Sequence, residues 1–348
     1  MRKLLLAGVL FYLIGCATSP HKSSVKIYIE QKNAEKAILE GQKWVADEPQ
    51  NPQAHLWLGV AYVLKKDYQN AAESFVKAFE LDPNLKNPQL LDKTFTVGGI
   101  KLFTADGVAT TLQNGGTLAS KEGKNEEAVK YLRTAIELFP DKAQLYLLLS
   151  ATYQKMGEDD MAKKVLEEGT RRAPDNKDLR YYYALMLVSE KDYDRALENL
   201  KRAVEIDSTF GKAYYEMGVI YFEKGDNEKA FDLLKKATAL EPDNKDAWFS
   251  LGVVSLKLNK FDEAQMAFKK YTELNPDDAQ GWFYLGASYY EGGKYEEALQ
   301  ALDKSDQLNP GDPDVYNYKG LVYKKMGDTK KALEMFRRAS ELEKGKGK

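Results

Sequence analysis

Small and apolar residues return along this chain at a spacing of 34 positions. With Pro52, Ala109, Ala143, Lys177, Gly211, Lys245, Ala279 and Pro313 taken as first positions, the last seven starts follow one another without insertion or deletion. The eighth position is always small: Gly59, Gly116, Ser150, Ala184, Gly218, Gly252, Gly286 and Gly320. The twentieth is always alanine, from Ala71 and Ala128 to Ala298 and Ala332. Such invariance predicts two helices per unit that cross closely at these points. Position fifteen carries Gly123, Gly157, Gly225, Gly293 and Gly327, with Asn259, Lys66 and Lys191 otherwise. Residues that tolerate left-handed backbone angles end a first helix there. Proline at position thirty-two (Pro83, Pro140, Pro174, Pro242, Pro276, Pro310) ends the second helix or starts the next turn, while Ser208 and Lys344 depart.

Stepping 100° per residue along the first helix separates two faces. Positions 4, 7, 8 and 11 form a core face. Positions 2, 5, 9, 12 and 13 form another, with position 6 at its margin. On this second face stand Leu147, Tyr181, Tyr182, Tyr215, Phe222, Phe249, Phe283, Tyr284, Tyr290 and Tyr318. Tyr and Phe anchor protein interfaces, and a solenoid gains little by lining solvent with them. These rings therefore either line a binding groove, chiefly between residues 177 and 330, or seal contacts between neighbouring hairpins.

The repeat pattern resembles the tetratricopeptide repeat (TPR), with Trp248 and Trp282 at the fourth position, Leu58-Gly59, Leu251-Gly252 and Leu285-Gly286, and Tyr62, Tyr153, Tyr221, Tyr289 and Tyr323 at the eleventh. The resemblance implies an all-α, right-handed superhelical solenoid of antiparallel helix pairs, with first helices lining the concave face. Residues 25–83 are expected to hold a degenerate repeat, with Ala37 and Pro49 in place but a weak first helix, and the first clear one. Residues 109–344 hold seven contiguous repeats, and 345–348 form a polar tail. The segment 84–108 fits no helix signal well and is expected to be either a structural insertion or an outward, partner-binding loop. The uncovered last hairpin, with Leu333 and Phe336, is a candidate for weak homo-oligomerisation.

The beginning of the chain follows a different pattern. Arg2 and Lys3 precede an apolar run from Leu4 to Ile14, then Gly15 and Cys16. Eleven apolar residues at about 1.5 Å each fall short of a hydrocarbon core of roughly 30 Å, so residues 1–15 read as a secretory signal. Leu13-Ile14-Gly15-Cys16 resembles the lipobox of bacterial lipoproteins, which implies lipidation of Cys16 and cleavage before it. Several acyl chains would give stable anchoring where one is marginal. Ala17 stands where inner-membrane lipoproteins often carry aspartate, so the resemblance implies an outer membrane facing the periplasm. Residues 16–24 then read as the lipidated cysteine and a flexible tether.

Composition narrows the function classes. With 51 basic and 53 acidic side chains interspersed, no basic stripe for nucleic-acid phosphates is visible. Cys16 is the single cysteine and His21 and His55 the two histidines, so neither disulfides nor Cys/His metal chemistry is expected. No cofactor motif appears. Glu158, Asp159 and Asp160 are best placed to meet a helix dipole rather than to catalyse. The expected function is thus a non-enzymatic, lipid-anchored scaffold that binds envelope proteins or peptides, as in assembly of a pilus or secretion machine. An adaptor for cell-wall hydrolases or proteases, and a polysaccharide-binding export helper, are the alternatives. Positions 5 and 9 are mostly apolar, with Val219, Val253, Ala287 and Leu321 at the latter, which disfavours a carboxylate-gripping mode and favours an apolar or amphipathic partner segment.

Overall fold

The computed structural model describes residues 19–346, so the signal segment, the lipobox and Cys16 lie outside the described residues. The chain divides into two compact units, one ending at Pro174 and the other beginning at Asp175. The first holds α1 (His21–Glu30), α2 (Ala34–Asp47), α3 (Pro52–Leu64), α4 (Tyr68–Leu81), α5 (Pro88–Thr94), α6 (Ala105–Lys121), α7 (Asn125–Leu138), α8 (Ala143–Lys155) and α9 (Asp159–Arg172). Between α5 and α6 a two-stranded hairpin pairs β1 (Thr96–Val97) with β2 (Ile100–Lys101). The second holds α10 (Lys177–Ser189), α11 (Tyr193–Ile206), α12 (Gly211–Glu223), α13 (Asn227–Leu240), α14 (Lys245–Lys257), α15 (Phe261–Leu274), α16 (Ala279–Glu291), α17 (Tyr295–Leu308), α18 (Pro313–Lys325) and α19 (Thr329–Lys346). This is the all-α TPR solenoid architecture.

The local causes are visible at each repeat boundary. Asn51, Asn176, Asn244, Asp278 and Asp312 cap first helices by accepting from backbone N–H groups that have no partner inside the helix. Asp67, Asp192 and Asp226 do the same for second helices. At position fifteen the backbone is left-handed in every clear repeat. Gly123, Gly157, Gly225, Gly293 and Gly327 adopt it freely, whereas Lys66 (φ 61°), Lys191 (φ 61°) and Asn259 (φ 58°) do so with a Cβ in place. The small eighth position is a steric requirement: a Cβ on Gly252 would lie 2.6 Å from Phe268, and one on Gly59 2.6 Å from Phe75. The fourth position has a role beyond filling the core. Trp248 and Trp282 each donate Nε1–H to the carbonyl of the proline six residues earlier at 2.8 Å, and the Tyr146 hydroxyl does the same to Pro140. His55 Nε2 lies 2.9 Å from the Pro49 carbonyl, so this histidine belongs to the same repeated device.

Several expected boundaries move. The tether was expected to run to Ser24, but α1 begins at His21, because Ser19 and His21 are tied back onto α2 and its C-cap. The Ser19 N–H donates to Glu48 at 3.0 Å, and His21 Nδ1 lies 2.6 Å from Glu40 Oε2. Val25 and Ile29 supply a buried stripe too thin to read as a helix from sequence. The segment 84–108 is more ordered than its composition suggests. It forms a short 3₁₀ turn, α5, the hairpin and the first turn of α6, which begins four residues before its repeat. Asp92 holds these pieces together: one carboxylate oxygen accepts from Lys101 Nζ and the other from the Ala105 N–H, both at 2.7 Å. At the far end α19 continues to Lys346, past the expected start of the tail. Phe336 packs inside its own hairpin, where a Cβ on Gly320 would come within 2.6 Å of its ring, so of the proposed end surface Leu333 alone stays largely exposed, at 65%.

Candidate protein-binding groove

The first helices of the second unit place the aromatic columns in register. Tyr181, Tyr215, Phe249 and Phe283 at position 5 are half-buried on α10, α12, α14 and α16. Position 6 contributes Tyr182, 47% exposed, and the half-buried Tyr284 and Tyr318. Position 12 contributes the half-buried Phe222 and Tyr290. Leu147 lies on α8 of the first unit, also half-buried.

The rings divide by what they touch. Tyr284 stacks on the fully buried Phe268 (5.4 Å between centroids, 15°) and meets Phe249 edge-on at 5.3 Å. Phe249 also meets Phe268 at 5.7 Å and Tyr271 at 5.1 Å. Tyr318 closes the next joint against Phe283 at 5.2 Å and Tyr290 at 5.9 Å. These position-6 rings reach back onto the preceding repeat, and together with Phe249 and Phe283 they seal joints between hairpins. The face opens between α12 and α14. There Tyr215, Val219, Phe222, Phe249 and Val253 surround a cleft of about 250 Å3, with Leu234 of α13 and Val254 also lining it and Ser250 and Glu223 as its polar members.

The charged groups that act most on the hydroxyls of this face are acidic. Burial raises the Tyr181 hydroxyl pKa, and Glu216 and Glu241 raise it further. Burial also raises Tyr215, reinforced by Glu216 and Asp246 against a hydrogen bond with Ser250 that lowers it. Burial raises Tyr318, helped by Glu291 and Asp314. The carboxyl of Glu216 itself is pushed up to about 7 by burial.

Family comparisons agree with the helix pairing. Profiles of the tetratricopeptide repeat match residues 52–85 and 119–186, and that of the cilia and flagella-associated protein 70 C-terminal domain, a TPR profile, matches 187–346. The repeats are tetratricopeptide repeats. TPR proteins are generally protein-binding scaffolds, and that general function is the one these repeats support. Curated relatives include the antiviral innate immune response effector IFIT1 of Macaca fascicularis, 29% identical over 157 residues (45% of this chain, 30% of the relative). TPR repeat-containing protein YpiA of Bacillus subtilis (strain 168) is 29% identical over 109 residues, 31% of this chain and 26% of its own length. The chain thus spans less than a third of the length of these relatives. Among solved structures, YrrB, described as a TPR protein with an unusual peptide-binding site, is 28% identical with a TM-score of 0.49, covering 51% of this chain and 91% of YrrB.

Sequence reasoning read the sixth column of the TPRs for its rings and passed over its one charged member, Glu216, which stands beside the polar Asn114 and Ser250. It also passed over Lys319, the exception in the otherwise apolar or small seventh column. Lys319 is buried and held by Asp303 at 2.8 Å and Asp306 at 3.2 Å. Lys319 was visible as a departure from its column and Glu216 as the one charge in a mixed column, signals that counting matches alone suppresses.

Proposed function

We propose that the chain is a non-catalytic, lipid-anchored scaffold of the bacterial cell envelope, docking partner proteins along the first-helix face of residues 177–325 in assembly of an envelope complex such as a pilus or secretion machine. The carrying observation is the open cleft between α12 and α14, where Tyr215, Phe222 and Phe249 leave apolar surface uncovered. Half-exposed rings around a cleft supply contact area at little entropic cost, which is how interfaces gain their anchors. The anchoring part of the reading is supported by Leu13-Ile14-Gly15-Cys16, with one cysteine in the whole chain at the place a lipid acceptor requires.

Two experiments test the two parts. Labelling cells with a palmitate analogue should mark the wild-type chain and not Cys16→Ser; equal labelling of both removes the anchor. Capture of envelope proteins with the full chain in mild detergent should recover a defined protein that Phe222→Gln loses. Phe222 is the better probe than Phe249, since Phe249 also packs on Phe268, Tyr271 and Tyr284. Recovery that is indifferent to Phe222→Gln would place docking elsewhere and overturn the groove assignment.

A further inference from the structure

The sixth position of the first helix is where these repeats turn a ring back onto their predecessor: Tyr284 covers Phe249 and Phe268, and Tyr318 covers Phe283. In α12 that position is Glu216. A carboxylate therefore occupies a slot that the preceding repeat fills with Tyr182, the next with Ser250 and the last two with Tyr284 and Tyr318, and it is half-buried there, close enough to Tyr181 and Tyr215 to raise both hydroxyls. Among the described residues Glu216 has neither a hydrogen-bond donor nor a cation as partner. Its own carboxyl is raised by burial alone.

The contrast with Lys319 is informative. That buried charge has its counter-charges built in, from Asp303 and Asp306. Leaving a buried charge unmatched costs stability, and Glu216 is left unmatched. The charges that reach the neighbouring groove hydroxyls do not compensate it, since Glu241, Asp246, Glu291 and Asp314 are acidic too. The rim at position 13 carries both signs (Glu223, Lys257, Glu291, Lys325), so sign selectivity resides in the floor rather than the edge.

We propose that Glu216 receives a lysine or arginine side chain of the bound segment, so that the partner presents a basic residue flanked by apolar ones. The inference rests on the groove reading above and specifies its occupant. The cation would enter beside Tyr181 and Tyr215, whose ring faces attract positive charge, while the neighbouring apolar residues of the partner fill the cleft by Val219, Phe222 and Val253. A cation in that slot supplies the charge-assisted hydrogen bond that the fold withholds from Glu216.

The test is selection of a phage-displayed library of random dodecapeptides on the full chain in mild detergent, followed by binding of the selected peptides as synthetic material. Selected peptides should share a lysine or arginine at a constant distance from an aromatic or branched residue. Replacing that basic residue by glutamine, or Glu216 by glutamine, should each weaken binding about tenfold to a hundredfold, and the two losses should not add. Glu216→Gln is nearly isosteric, and an unchanged or raised melting temperature shows that the fold is retained. If peptides are lost on Phe222→Gln but carry no basic residue, or bind Glu216→Gln as well as wild type, the groove stands and this inference falls. Peptides indifferent to both substitutions, or failure to select any peptide, overturn both.

Discussion

The first clear repeat and the repeats of the second unit present the same face with opposite fates. On α3 the groove positions Leu56, Trp57 and Val60 are buried, and the chain's own segment between α5 and α6 lies against Trp57 and Val60. Phe95 meets Trp57 edge-on at 5.6 Å, Phe103 meets Phe95 at 5.5 Å, and the hairpin residues Ile100 and Lys101 with Leu102 and Phe103 border a cavity shared with Val60, Val63 and Leu64. Lys26 of α1 adds its ammonium 4.7 Å from the Trp57 ring. On α12 and α14 the corresponding face is covered only in part, by Tyr284 against Phe249, and the cleft between Tyr215, Val219, Phe222 and Val253 stays open. The same first-helix face is thus either buried or left open, and a non-repeating segment contributes to which. In the covered case what lies against the first helix is apolar, aromatic chain of the protein itself.

This comparison can be broken most directly at Phe95. Phe95→Ala is expected to destabilise the first unit by about 3–5 kcal/mol, the range for emptying a buried aromatic site, and to shift Trp57 fluorescence to the red. Phe222→Ala on the open face should cost less than this, since Phe222 packs on the core of Leu234, Leu251 and Val254 from one side only and is half-buried where Phe95 is fully buried. Chemical unfolding of each variant measures both, and equal costs would mean that the two faces do not differ as described. Next in size, Gly59→Val and Gly252→Val should each cost about 1–3 kcal/mol or more by driving a side chain into Phe75 or Phe268. Similar costs are expected, since the helix crossing is common to both units and only the covering differs; hydrogen exchange localises the loss.

A third prediction sharpens the electrostatics of the open face. The Glu216 carboxyl sits near 7 in the folded chain against 4.5 for an exposed one, so the folded state holds the proton more tightly. The destabilisation that follows is absent below the unfolded value, grows as pH rises between the two, and is complete above the folded one. Glu216→Gln should therefore raise stability by about 1–3 kcal/mol at pH 8 and leave it nearly unchanged at pH 4. A gain independent of pH would show that charge burial is not the cause. The smallest effect is at the turns: Lys191→Gly and Lys66→Gly should each stabilise by up to about 1 kcal/mol, because glycine adopts the left-handed angles without a Cβ penalty. Gly225→Lys, the reverse change in an otherwise equivalent turn, should cost a similar amount in thermal melts.

Much of this molecule is legible in its sequence for a physical reason. Close helix crossings, left-handed turns and capped helix starts each demand particular residue types at particular places, and the 34-residue period repeats those demands. First helices from Pro52, Ala143, Lys177, Gly211, Lys245, Ala279 and Pro313 begin where the period puts them. The groove columns were legible as columns, but whether a ring seals a joint or borders open space depends on its neighbours in the next hairpin. Tyr284 and Phe222 read alike in one dimension, and only packing separates them. The segment 84–108 was illegible because nothing repeats it: Asp92 holds it through partners 9 and 13 residues away, and its buried Leu91 and Phe95 give a single i,i+4 pair on a helix of 7 residues, too short to establish a period. The sequence by itself determined the repeat, its two helices, their turns and their faces, since these follow from local sterics and periodicity. Tertiary structure alone decided which stretch of the first-helix face is covered, which is open, and that one carboxylate on the open stretch has no counter-charge, because those properties belong to contacts between segments distant in the chain.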